Sequence, residues 1–400
     1  MAGTLPQGDP AALGFSPERL ARIDAAMQRW VDEKKLAGVT IAIARDGKLA
    51  YLHSSGMADI AKGRPMDENA LVRIYSMTKP VTAVAVMMLV EEGKLRLTDK
   101  LSDYLPEFRD MKVTTADGGT EPAKQPIRIF HLMTHTSGLT YSLYNQSAAG
   151  KAYDQADVMN AGRSTAEFTK VLATLPLAVQ PGTTYQYGTS IDVLGRLVEV
   201  ISGQPFDVFV KERITDPLGM KDTAFAAKDK VGRLAELYGP GPDGGVVPLV
   251  NTVWNPDYGN GSPFKSGGGG LLSTVGDYLR FAQMLLNGGE LDGVRILSPK
   301  TVRLMAAGQI EKENRGYMLV GLPGYDMGLT MAVLEDVGAS GLPGSVGEFN
   351  WAGAASTHFF VDPQEKIVAV LMTQLFPDKH GMRAELKNLT YQALETSRED

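Results

Sequence analysis

A chain of 400 residues with 40 Lys and Arg against 46 Asp and Glu carries a net charge of −6 and no Lys/Arg run longer than a pair. That excludes the basic footprint of a nucleic-acid binder. Hydrophobic residues at 44% and charged residues at 22% fit a globular protein of two domains, or one large domain with an insertion.

Cysteine is absent, which excludes disulfides, thiolate metal sites and cysteine nucleophiles and leaves the redox compartment open. Met1 to Pro10 has no charged n-region and no apolar h-region. The longest apolar run, around Val81 to Val90, is about half of the roughly 20 residues a membrane span needs. The expectation is a cytoplasmic protein with no membrane contact, although a leader removed beforehand would leave the same picture.

In chain order, Ser16-Pro17-Glu18 predicts a helix start, with Leu20, Ile23, Met27 and Trp30 on one face and an end near Lys35. Gly38 to Ala44 predicts a strand, Asp46-Gly47 a hairpin turn, and Leu49 to His53 the returning strand. Helical periodicity follows at Val81–Glu92, Ile129–Met133, Thr165–Ala173, Asp192–Ile201 and Phe206–Ile214. Long loops are expected near 141–163, 236–265 and 315–347, lengths that usually carry function or motion. Thr357 to Val361 and Ile367 to Thr373 predict strands, and Met382 to Leu394 a last helix. The termini thus share one grammar. The fold class expected is α+β, one antiparallel sheet built from residues 1–80 and 265–400 under flanking helices, with a mostly helical region, 81–264, inserted.

Ser76-Met77-Thr78-Lys79 is the first chemical signal. Three residues along a helix return to nearly the same face, so Ser76 Oγ and Lys79 Nζ can meet. A lysine stripped of water can act as a base, and a serine at a helix start offers its own N–H to a developing oxyanion. Pro80 supports a helix start close to Ser76. Alone, Ser-x-x-Lys is a weak pattern, more often an N-cap serine with a surface lysine. Tyr187 lies at a loop–helix junction before Asp192 and can share a proton with Lys79, though a lone tyrosine is more commonly packed aromatic surface. Phe349-Asn-Trp-Ala-Gly-Ala-Ala355 precedes a strand, and its small residues let backbone approach a substrate, where an N–H can serve as a second oxyanion donor. Tyr141, Tyr144, Trp254, Tyr258, Phe264 and Tyr325, all in the long loops, are candidates for an acyl pocket.

Other chemistries fare worse. No Gly-x-Ser-x-Gly elbow occurs. His131 and His135 stand four apart on an expected helix, but no glutamate follows His131 and no acidic or cysteine cluster completes a metal site. Gly267–Gly270 lacks the Gly-Lys-Ser/Thr of a phosphate loop. Neither metal nor cofactor is expected.

Taken together, Ile74-Tyr-Ser-Met-Thr-Lys-Pro80, His131-Leu-Met-Thr-His-Thr-Ser-Gly-Leu139, Pro181-Gly-Thr through Tyr187 to Asp192-Val-Leu-Gly195, Asp216-Pro-Leu-Gly-Met220 and Gly268-Gly-Gly-Leu-Leu-Ser-Thr274 follow a family order over roughly residues 15 to 390. The chain resembles the β-lactamase-related serine hydrolases: class C β-lactamases, DD-peptidases and, above all, the family VIII carboxylesterases. The resemblance implies a β-lactamase/transpeptidase-like fold with its site in a cleft between a helical and an α/β domain. It implies that Ser76 is acylated, that Lys79 and Tyr187 handle its proton, and that the N–H groups of Ser76 and Ala354 bind the oxyanion.

Two departures separate the chain from the lactamases. Thr189 stands where their Tyr-x-Asn has asparagine, and Trp351-Ala352-Gly353 where they have Lys-Thr-Gly. Tryptophan cannot hold a carboxylate but offers apolar area to an ester, and it is what family VIII esterases commonly carry there. Trp351, Gly353, Tyr141 and Thr189 are therefore expected to contact substrate. The expected activity is hydrolysis of short-chain carboxylic esters through an acyl-enzyme. Acyl transfer, weak β-lactamase or DD-peptidase activity, and penicillin binding without turnover stay open as alternatives. The partner expected is a small-molecule ester, and the oligomeric state stays open.

Overall fold

The computed structural model describes residues 4–250, 257–315, 322–377 and 381–398. Helix α1 (Pro17–Asp32) starts where Ser16 Oγ accepts the Arg19 N–H at 3.2 Å, and its buried face carries Leu20, Ile23, Ala26, Met27 and Trp30. Strand β1 (Gly38–Arg45) is buried along its whole length and turns at Asp46 and Gly47 into β2 (Lys48–Asp59). Both turn residues have positive φ, 54° and 73°, the pair of left-handed conformations whose twist joins antiparallel strands through two residues. Strand β2 runs on to Asp59 instead of stopping at His53 and pairs with the short β3 (Arg64–Pro65).

The middle of the chain is helical. A 3-10 turn over Tyr75–Met77 leads into α2 (Thr78–Glu91), so the α-helix proper begins just past Ser76. Helix α2 is buried on every side from Thr78 to Leu89, as expected of a helix apolar all round. It packs against α6 (Ser190–Ser202), with α3 (Ile129–Met133), α4 (Ala148–Gln155) and α5 (Thr165–Leu172) falling between them in sequence. In α5, Ser164 and Glu167 form a reciprocal capping box. The helix over Phe206–Val210 gives way to a π-helical turn over Lys211–Thr215 instead of running unbroken to Ile214. Two expected loops hold structure: α4 lies within 141–163, and a hairpin of Tyr238–Pro240 with Val246–Pro248 lies within 236–265. Trp254 falls outside the described residues.

The chain then returns through α7 (Val275–Leu286) to β4 (Tyr325–Met327), β5 (Ala332–Leu334), β6 (Phe349–Ala352), β7 (His358–Asp362) and β8 (Ile367–Thr373), ending in α8 (Met382–Tyr391). Strands β4 and β5 correct the loop expected over 315–347. Three-residue strands show no periodicity in sequence and exist here through pairing, β4 with β5 and β5 with β6. One antiparallel sheet results, in the order β4-β5-β6-β7-β8-β1-β2-β3. The two ends of the chain meet at β1 and β8, where Ile41 faces Leu371 and Ala44 faces Val368. Helices α1 and α8 cover one face through Ile23, Trp30 and Leu386 packed with Ile41 and Leu371. Helix α7 covers the other, its Phe281 and Leu285 in one core with Ala42 and Val370. Among the described residues no helix is long and apolar enough to cross a membrane.

Candidate active site

Ser76 sits in the turn before α2, directly after Tyr75, whose φ of +42° is costly for a bulky side chain. Strand β6 leads up to that turn. A Cβ on Gly353 would lie 2.4 Å from the Ile74 carbonyl oxygen and 2.1 Å from Thr357 Oγ1. The Gly353 N–H donates to the Thr357 carbonyl at 2.9 Å, and its own carbonyl accepts from Arg383 at 2.8 Å. Gly353, expected as a substrate contact, lets the chain after β6 pass the serine turn at backbone distance.

Two groups converge on the nucleophile. Lys79 Nζ lies 3.0 Å from Ser76 Oγ, and the Tyr187 hydroxyl donates to the same oxygen at 2.8 Å. Lys79 is fully buried, and its ammonium lies 4.7 Å from the ring centre of Tyr187. Burial pulls its pKa down to about 7, against the opposing attraction of the Asp192 carboxylate. Burial pushes the Tyr187 hydroxyl above the ordinary phenol range, with the contacts to Ser76 and Trp351 acting the other way. Near neutrality the lysine can therefore accept a proton while the tyrosine keeps its own.

The surroundings of this trio were only partly readable. The Lys79 ammonium also donates to the Gly268 carbonyl at 2.7 Å, and the Gly268 N–H donates to Asp192 at 3.0 Å. Asp192 further accepts from the Tyr141 hydroxyl at 3.1 Å and from Ser266 Oγ. A Cβ at Gly268 would lie 2.5 Å from Asp192 and 2.9 Å from the Tyr141 hydroxyl. The glycine run is thus a close backbone approach, and the run itself was the one signal for it. His135 is a second surprise. It lies past the end of α3 at φ +55°, so it does not pair with His131, whose Nδ1 accepts the Arg128 N–H at 3.2 Å. Its buried ring packs 4.7 Å from Tyr187, and its carbonyl accepts the Gln186 N–H at 2.7 Å. Burial and the nearby Lys79 hold that imidazole uncharged. Among the described residues no three His, Cys, Asp or Glu gather as metal ligands.

Ser76 opens onto a cavity of about 250 Å³ whose lining includes Tyr141, Tyr187, Thr189 and Ala354. Thr189 Oγ1 is buried with no hydrogen-bond partner among the described residues. Trp351 is half-buried, packs 6.0 Å from Tyr187 between ring centres, and lies outside the cavity lining. Tyr144, Tyr258 and Phe264 do line it, whereas Tyr325 does not. The Tyr325 hydroxyl is held by Lys387 at 2.8 Å beside the buried Glu348.

The beta-lactamase family profile matches residues 23–392, nearly the whole chain. The chain belongs to the beta-lactamase family. Within the family it is similar to Esterase EstB of Burkholderia gladioli, 34% identical over 394 residues covering 91% of this chain and 93% of that one. It is 37% identical to Protein Rv1367c of Mycobacterium tuberculosis over 365 residues, 88% of this chain and 90% of that one. Among solved structures it is similar to EstCE1, described as a hydrolase with promiscuous acyltransferase activity, at 28% identity. That match has a TM-score of 0.82 and covers 94% of this chain and 99% of the other. These relatives fit the resemblance to family VIII esterases that the motifs carry, and the β-lactamase/transpeptidase-like fold is the observed one.

Proposed function

We propose that this protein is a serine carboxylesterase that hydrolyses short-chain carboxylic esters through an acyl-enzyme on Ser76. The observation that carries the reading is Ser76 Oγ held between Lys79 Nζ at 3.0 Å and the Tyr187 hydroxyl at 2.8 Å, with the lysine pKa near neutrality. Neutral Lys79 takes the serine proton as Oγ attacks the ester carbonyl. The N–H groups of Ser76 and Ala354 receive the oxyanion. Tyr187 hands its proton to the departing alcohol and is resupplied by Lys79. Water then repeats the sequence on the acyl-enzyme and releases the acid. The active cleft belongs to a division in which 81–264 forms the helical part and 1–80 with 265–400 the sheet part.

Esterase is favoured over lactamase by the names of EstB and EstCE1 and by two residues of this chain. Trp351 replaces a lysine that would pair with the lactam carboxylate, a hydrogen bond to charge contributing about 1.5–3 kcal/mol. Thr189 replaces an amide whose donors a hydroxyl cannot reproduce. An uncharged ester needs neither. The test is kcat/KM for nitrophenyl butyrate beside nitrocefin under one set of conditions. The ester should win by a wide margin, and parity or better for nitrocefin would replace this reading with the lactamase one. Transfer of the acyl group to an added alcohol is the second reading, favoured by what EstCE1 is described as doing.

A further inference from the structure

The walls of the cavity over Ser76 restrict the ester further. Besides Tyr75 and Tyr187, six aromatic rings line it, those of Tyr141, Tyr144, Tyr153, Phe225, Tyr258 and Phe264, together with Leu143 and Met159. At its mouth Leu143 is 49% exposed, Tyr144 48% and Met159 39%. Large apolar side chains left in water around one concavity mark a binding surface, unlike the same residues scattered singly. An apolar cavity of roughly 150 Å³ is enough to hold benzene. At about 250 Å³ this one admits an aryl ring with room over, while an acetyl group leaves most of it to water.

Charge points the same way. Asp154, Asp157 and Asp257 belong to the lining, and among the described lining residues there is no Lys or Arg. Arg383 donates to the Gly353 carbonyl and acts on the Tyr144 and Tyr187 hydroxyls from outside the lining, and Lys79 is buried beneath Ser76. An acyl chain ending in a carboxylate would meet like charge, with no cation among the described lining residues to receive it. Of the groups on the tetrahedral carbon, the oxyanion turns to Ser76 and Ala354 and the alcohol to Tyr187. The acyl chain is left with the aromatic chamber.

We infer that the acyl subsite takes an uncharged aryl or comparably bulky apolar group and rejects anionic acyl chains, an inference that rests on the esterase reading. In the reaction the Ser76 Oγ–acyl bond forms and the acyl–oxygen bond of the ester breaks. The serine proton leaves with the alcohol, and water later releases the aryl-bearing acid.

The experiment is kcat/KM by pH-stat on the purified full chain. Its substrates are ethyl phenylacetate, ethyl acetate, benzyl propanoate (an isomer of the first), ethyl pentanoate and monoethyl glutarate. Ethyl phenylacetate should exceed ethyl acetate by about 10-fold or more, the range a filled apolar pocket commands, and should also exceed its benzyl isomer. Monoethyl glutarate should run about 10-fold or more below ethyl pentanoate. In the Leu143→Ala/Met159→Ala double variant, changed only at exposed positions, the phenylacetate-to-acetate ratio should fall about 3-fold or more. The inference is overturned if acetate matches phenylacetate, if the benzyl isomer is faster, if the charged half-ester keeps pace, or if the double variant leaves the ratio unchanged. Turnover of none of these esters, nitrophenyl butyrate included, would overturn the esterase reading itself.

Discussion

A lysine deprived of water gives up its proton near neutrality, and the Lys79 ammonium, between Ser76 Oγ and the Gly268 carbonyl, is in that position. As the base it must be uncharged, so kcat/KM should climb with pH through about 7, where Lys79 loses its proton, and level off above. Lys79→Ala should cost about 10²–10⁴-fold in turnover and remove that inflection. Tyr187→Phe should cost a similar factor and keep the inflection, because the phenol stays protonated throughout that range. Near-normal turnover in the Tyr187→Phe enzyme would mean that another group protonates the alcohol. Ser76 and Lys79 were legible because their meeting is local, three residues along one helical path. Asp192 and His135 were not, since only the folded chain brings Gly268 onto Asp192 or lays His135 against Tyr187.

Elements were readable in proportion to their length and burial. Helix α1 announced itself through its cap and apolar stripe, and β1 and β8 through unbroken runs suited to strands buried on both faces. Helix α4 and strands β4 and β5 escaped notice because their short spans carry too few residues to reveal a period. Gly353 belongs to this scale, because it governs how the chain beyond β6 seats against the serine turn. Gly353→Ala should push the Ile74 carbonyl away and cost about 10²-fold in turnover, the penalty of a displacement near 1 Å. Overpacking of this kind should lower stability by only about 1–3 kcal/mol. Activity and denaturation midpoint measured on one preparation check the split, and an active variant would show that the turn does not lean on this glycine.

Across the whole molecule, the sheet is closed by sequence ends that lie far apart in the chain. Arg45 fastens this closure from inside, donating to the Leu13 carbonyl at 3.0 Å, the Thr396 carbonyl at 3.1 Å and the Glu365 carboxylate at 2.6 Å. Both charges are buried, so removing one strands the other, a loss of about 3–5 kcal/mol. Arg45→Met should therefore lower the unfolding free energy in urea by about that amount. It should leave ester turnover intact at moderate temperature, because Arg45 is no part of the cavity lining. A stability unchanged by the substitution would mean that Glu365 finds water or another partner. The joining of the termini in one sheet was legible because each end repeats the strand–turn–strand grammar beside a helix. The order of the outer strands was not.

The central claim is that one serine carries the acyl group, and labelling tests it most directly. An equimolar fluorophosphonate should add once to the protein, on the peptide containing Ser76, and abolish nitrophenyl butyrate hydrolysis in proportion to the label. The folded Ser76→Ala variant should show neither label nor turnover. Label on another residue with Ser76 unmodified, or ester hydrolysis surviving in Ser76→Ala, would contradict the account.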